Sequence, residues 1–152
     1  MRRSEKEISQ ETDVEAIIRK SLVCRLGLAI DGQPYVVPLC FGYRQKALYL
    51  HGAHEGRKME IIRQNPRVCF EFDLGVAIIE APGACGWGMR YQSVIGFGRA
   101  EVLVDEDEKR QGLEIIFSHY SDRPAQFTEQ AVKATTVIRV AVEEMTGKQS
   151  GL

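Results

Sequence analysis

Residues 23–43 read VCRLGLAIDGQPYVVPLCFGY, and their pattern decides the fold class. Cys24, Leu26, Leu28 and Ile30 alternate with Val23, Arg25, Gly27 and Ala29. A period of two puts one set on each face of a strand. Asp31-Gly32 follows, and both positions tolerate the positive φ of a two-residue hairpin. A second strand is expected over about 34–43, carrying Tyr35, Val36, Val37, Leu39, Phe41 and Tyr43. Pro38 falls inside it. Proline has no N–H for a ladder, so this point is expected at an edge, at a bulge, or where something other than a strand approaches.

The period of two continues downstream. Ala47 to His51 returns as a third strand after an Arg44-Gln45-Lys46 turn. The loop from Gly52 to Lys58 feeds a helix that Asn65-Pro66 ends, because proline forces its predecessor out of the helical region. Val68, Phe70 and Phe72 mark a fourth strand, and Val76 to Glu80 suits another. Pro82, Gly83, Gly86 and Gly88 predict a loop over 82–88. Tyr91 to Val104 is a long strand whose Gly96 and Gly98 signal a bulge or a barrel bend. Asp105 to Glu108 suit a helix N-terminus, and Leu113, Ile116, Phe117 and Tyr120 predict a helix over about 106–120. Residues 121–134 are polar, with room for one short helix. Thr136, Ile138, Val140 and Val142 form a last strand, and the tail from Thr146 is polar. Upstream, Thr12-x-x-Glu15 has the form of a capping box ahead of Val14, Ile17 and Ile18, predicting a helix over about 12–20 behind a loose 1–11.

Six or seven strands with short turns and two or three helices, without βαβ alternation, describe a mainly β (α+β) antiparallel barrel with helices packed outside. The 152 residues suit one domain, 1–152. Such a chain buries roughly 68–70% of its unfolded surface and needs no disulfides. Twenty basic residues against twenty-one acidic ones leave a net charge of −1, which argues against a nucleic-acid or membrane-surface binder. No apolar run approaches the roughly 18–20 residues of a membrane span, and no apolar stretch follows the charged first residues. A cytoplasmic protein with reduced thiols at Cys24, Cys40, Cys69 and Cys85 is expected.

The richest chemistry lies in His51-Gly52-Ala53-His54-Glu55-Gly56-Arg57-Lys58, between a strand end and a helix start. Small residues admit a ligand to the backbone, two adjacent cations suit a phosphate, and a helix N-terminus adds its dipole. A plain solvated loop has the same composition. His51-x-x-His54 lacks a third ligand at metal-like spacing, so no metal is expected. Cys24, Cys40 and Cys69 lie on strands and read as small buried hydrophobes. Cys85, in the loop with Trp87, is the one expected to be exposed. Neither a Ser/His/Asp arrangement nor a Walker loop is present, and the catalytic residues stay unassigned.

Four segments together carry a family likeness: PYVVPL at 34–39, LYLHGAHEGRK at 48–58 running on to Asn65-Pro66, MRYQSVIGFGRAE at 89–101, and VIRVAVEEMTGK at 137–148. In these the chain resembles the flavin-nucleotide-binding branch of the pyridoxamine 5′-phosphate oxidase-like superfamily, most closely its nitroimidazole-resistance (Nim-like) proteins. The resemblance implies a six- to seven-stranded antiparallel split β-barrel of Greek-key, FMN-binding type with two to three peripheral helices. It implies a homodimer with FMN in clefts between subunits. By likeness, Arg57 and Lys58 hold the FMN phosphate, and His51 and Gly52 lie along the cofactor. Val37, Pro38, Leu39 and Cys40 offer backbone groups to the flavin ring, which gives Pro38 a purpose. Ser93 stands where the oxidases place a polar side chain near the phosphate or ribityl chain, and Trp87 and Tyr91 come from the partner subunit. The arginine- and histidine-bearing C-terminal extension that grips pyridoxamine phosphate has no counterpart here, so oxidation of that substrate is not expected. The implied function is electron transfer from reduced FMN to a small planar acceptor such as a nitroaromatic. Two alternatives stay open: a non-catalytic flavin-binding or sensing module, and a haem-binding member of the fold using His51, His54 or His119.

Overall fold

The computed structural model describes residues 4–152. A 3₁₀ turn at Ser4–Lys6 leads into a short strand β1 (Glu7–Ile8) and helix α1 (Glu11–Lys20). Four strands follow, β2 (Cys24–Ile30), β3 (Gln33–Leu39), β4 (Phe41–Arg44) and β5 (Ala47–Gly52). Helix α2 (Arg57–Gln64) precedes the long hairpin β6 (Arg67–Ile79) and β7 (Gly88–Val102). Helices α3 (Glu106–Tyr120) and α4 (Glu129–Ala134) lead to the last strand, β8 (Thr136–Ser150).

The main path of the sheet runs β3-β2-β6-β7-β8-β5-β4, and β1 pairs with β8. Every pairing is antiparallel. The two terminal strands of this path, β3 and β4, are neighbours in sequence, joined through Cys40. The ring of strands therefore closes through the covalent chain and not through a ladder, which is a split barrel.

Alternation does what the sequence predicts. Leu26, Leu28, Phe41, Leu48, Leu50, Phe70, Phe72, Val94, Ile138 and Val140 fill the interior. Helix α1 adds Val14, Ile17 and Ile18, and α2 adds Met59, Ile61 and Ile62. Asp31 and Gly32 turn the first hairpin with φ of 50° and 75°, the left-handed pair expected there. Pro38 stands on an edge strand, where its missing N–H breaks no ladder. The β7–β8 register shifts between Phe97 and Gly98, where the glycines signal a bulge. A Cβ on Gly98 would lie 2.3 Å from the Ala141 carbonyl oxygen.

Several boundaries differ from the sequence reading. The strand expected over 34–43 is two strands, because the chain passes from one edge of the split to the other at Cys40. Residues 67–79 form one strand across a register shift between Leu74 and Ala77, and β7 starts at Gly88, so the connection runs over 80–87 and not 82–88. The polar tail is strand to Ser150, since its partners on β7 and β1 supply the ladder. The capping box does not form. Helix α1 starts at Glu11 behind Gln10, with no side-chain cap. Part of the leader, Glu7–Ile8, is strand, bringing the total to eight.

Candidate functional site

Three separate stretches converge beside the split. The first is the edge strand β3, with Tyr35 and Val37 half-buried and Pro38 exposed. The second is the end of β5, where His51 pairs with Val137 and Gly52 with Thr136. The third is the first turn of α2, where Gly56 caps the helix at φ 114°. That angle suits glycine and lets the chain turn sharply from the loop into Arg57 and Lys58.

The two cations are placed differently. The Arg57 guanidinium lies 5.0 Å from the centre of the Tyr35 ring, a cation–π contact that links α2 to β3. Lys58 turns back toward β5 and donates from Nζ to the His51 carbonyl, 3.4 Å away. Gly52 permits this, because a Cβ there would sit 2.7 Å from Lys58 Nζ. Among the described residues, neither cation has a carboxylate within salt-bridge distance. Burial lowers the Lys58 pKa below its ordinary value. Burial, and then the nearby Lys58 charge, lower that of His51. An anion arriving here relieves the desolvated ammonium and meets the N-terminal dipole of α2.

The expected residues at 87–93 lie elsewhere in the same chain. Ser93 pairs with Lys148 and Tyr91 with Ser150 on β8. Val137, the partner of His51, precedes Lys148 by eleven residues on that strand, up to about 36 Å of extended chain. Trp87 is half exposed, and its indole N–H donates to the Ala81 carbonyl at 2.9 Å, closing the hairpin tip. One chain thus brings His51, Gly52 and Lys58 together and joins Arg57 to β3 through Tyr35, with Val37, Pro38, Leu39 and Cys40 further along β3 and its break, and it carries Trp87, Tyr91 and Ser93 at the other end of the sheet.

The cysteines separate as well. Cys24 is buried, and burial pushes its thiol up to about 12, an inert group. Cys69 is partly buried. Cys40 is exposed, contrary to the buried place expected from its strand, because it occupies the break between β3 and β4. Cys85 is exposed, as its loop implies. No group of three His, Cys, Asp or Glu among the described residues has the geometry to hold a metal. His119 is committed to the fold. Its Nε2 lies 2.7 Å from the Ser21 carbonyl, and its ring stacks on Phe41 with centroids 4.2 Å apart.

The family model for pyridoxamine 5′-phosphate oxidase matches residues 10–149. The chain belongs to the pyridoxamine 5′-phosphate oxidase family. Among solved structures, a protein assigned to 5-nitroimidazole antibiotic resistance in Bacteroides thetaiotaomicron is 37% identical, with a TM-score of 0.85 over 94% of this chain and 86% of that one. A FAD-binding protein from Mesorhizobium loti is 28% identical, with a TM-score of 0.67 over 93% of this chain and 96% of that one. A FAD and haem binding protein from Mycobacterium smegmatis, at 19% identity, shares the fold with a TM-score of 0.85 over 97% of this chain and 74% of that one. No curated protein sequence matches significantly. No helix among the described residues is long and apolar enough to cross a membrane.

Sequence reasoning missed three residues of this site: Tyr35, which lies under Arg57, and Thr136 and Arg63, which bond to His54. Only Tyr35 left a signal, as an aromatic beside Pro34 on the strand assigned to the flavin. Thr136 and Arg63 are 82 and 9 residues from His54, and their spacing encodes nothing.

Proposed function

We propose that the protein is an FMN-dependent oxidoreductase of the pyridoxamine 5′-phosphate oxidase family, passing electrons to a small planar acceptor such as a nitroaromatic. The observation that carries the reading is the pair Arg57 and Lys58 on the first turn of α2, without acidic partners among the described residues, beside the end of β5 and the edge strand β3. Bound FMN supplies hydride or one-electron transfer. The residues do the rest. Arg57, held over Tyr35, would take the phosphate with its planar fork, and Lys58 would add a point charge. His51 and Gly52 line the cofactor's path. Val37, Pro38, Leu39 and Cys40 present an edge to the ring, and an edge strand has backbone groups to spare.

We further propose that two copies complete each site, with Trp87, Tyr91 and Ser93 delivered by the partner. The outward face of β3, β2, β6 and β7 supports this. One row, Val36, Gly27, Cys69 and Phe97, is apolar, with Val36 63% and Phe97 45% exposed. A groove of about 540 Å³ along it is lined by Pro34, Val36, Gly27, Cys69, Phe97 and Arg67 among others. On one side of this row, Arg67 and Arg99 pair across the strands without an acid in reach among the described residues. On the other side lie Glu71 and Asp73, which share Arg25. A face with a basic end, an apolar middle and an acidic end matches itself under a two-fold rotation. Purified protein incubated with FMN and desalted tests the cofactor, and reduction of a nitroaromatic by the loaded protein tests the activity. A loaded protein inert with every reductant and acceptor pair instead fits a storage or sensing module.

A further inference from the structure

The loop 53–56 decides whether Arg57 and Lys58 face one ligand, because it joins the end of β5 to the start of α2. Ala53, His54, Glu55 and Gly56 are all exposed, so burial does not fix the loop. Gly56, at φ 114° with nothing within 4 Å of an added Cβ, adds no packing contact to fix it. One residue ties it down from two sides. His54 Nδ1 lies 2.6 Å from Thr136 Oγ1, at the start of β8. The His54 carbonyl accepts from Arg63 Nη2 at 2.9 Å, in the last turn of α2. Thr136 is 4% exposed, and this is its hydroxyl's one hydrogen bond among the described residues. Thr136 also pairs with Gly52, the residue that makes room for Lys58. A buried hydroxyl on β8 and an arginine on α2 therefore meet at one loop residue, and Thr136 ties that anchor to the end of β5 through its pairing with Gly52.

We infer that His54 is a positioning residue for the cofactor phosphate. Through Thr136 and Arg63 it holds the loop in the shape that aims Arg57, Lys58 and the α2 N-terminus at one anion. The inference rests on the phosphate reading above.

The test uses the full chain and FMN, with binding followed by flavin fluorescence. Thr136→Val keeps the shape and removes the hydroxyl, and Thr136→Ser restores it. His54→Ala alters an exposed side chain and leaves the core intact. One lost hydrogen bond corresponds to a roughly three- to tenfold weaker affinity. That loss is expected for Thr136→Val and for His54→Ala, with Thr136→Ser close to the parent. The double variant His54→Ala/Thr136→Val is expected to be no weaker than the weaker single one, because both remove the same bond. Amide exchange of residues 53–57 in the flavin-free protein is expected to quicken in the two loss variants, with β6 and β7 unchanged. Thr136→Val binding FMN as the parent does, or losses that multiply in the double variant, overturns the inference. A parent that retains no FMN overturns the phosphate reading instead, and loop exchange alone then decides the anchor. Faster exchange at 53–57 upholds it, and unchanged exchange removes it.

Discussion

At the scale of single residues, burial and charge compete in Lys58. The half-buried ammonium has a lowered pKa because the fold withholds water from it, yet a phosphate needs it charged. FMN affinity is therefore expected to fall as pH rises through that lowered pKa, before an ordinary lysine at about 10.4 loses its proton. Lys58→Ala is expected to weaken FMN binding by roughly 1.5–3 kcal/mol and to flatten that part of the pH profile. Fluorescence titration across pH reads both effects. His51 gives a second signature, in stability. Its folded pKa is lowered, chiefly by burial, so as pH falls the unfolded chain takes up the proton first, near 6.5. Between that value and the lower folded one, the unfolded state binds more protons, so stability drops as the solution is acidified. Urea midpoints of the flavin-free protein are expected to fall from pH 7 toward pH 5, and to fall less in His51→Gln.

At the scale of elements, the strained approaches sit where strands cross. Gly98→Ala brings a Cβ to 2.3 Å from the Ala141 carbonyl oxygen at the β7–β8 bulge. Backbone on β8 must move, so a stability loss of about 1–3 kcal/mol, read by urea unfolding, is expected. This bulge was legible in advance, since two glycines in an alternating strand have few other purposes. So was the Asp31-Gly32 hairpin, which depends on the local backbone alone, and the edge position of Pro38 is one of the three places its missing N–H allows. The break at Cys40 was not. Tyr35 to Tyr43 keeps an apolar pattern straight through it, and what divides β3 from β4 is how β2 and β5 compete for the chain. The strand character of 143–150 was hidden for the same reason. Polar residues there pair with β7 and β1, which the local sequence cannot announce. The pair of cations after Gly56 was legible as Arg57-Lys58, whereas the contacts of Tyr35 with Arg57 and of Thr136 and Arg63 with His54 come only from tertiary placement.

At the scale of the whole molecule, the proposed two-copy site has one chain carry its two groups of residues at opposite ends of its sheet, to be joined through the face of β3, β2, β6 and β7. Sedimentation velocity is expected to show a species of two chains. Arg67→Glu with Arg99→Glu sets like charges against the other copy's Glu71 and Asp73, and is expected to give single chains and weakened FMN retention together. Two chains persisting in that variant would place the interface elsewhere.

The most direct test of the account is the absorbance spectrum of the purified protein after saturation with FMN and desalting. Retained flavin bands near about 370 and 450 nm, at one FMN per chain, are expected, and their loss in Lys58→Ala. A parent protein that emerges colourless would contradict it.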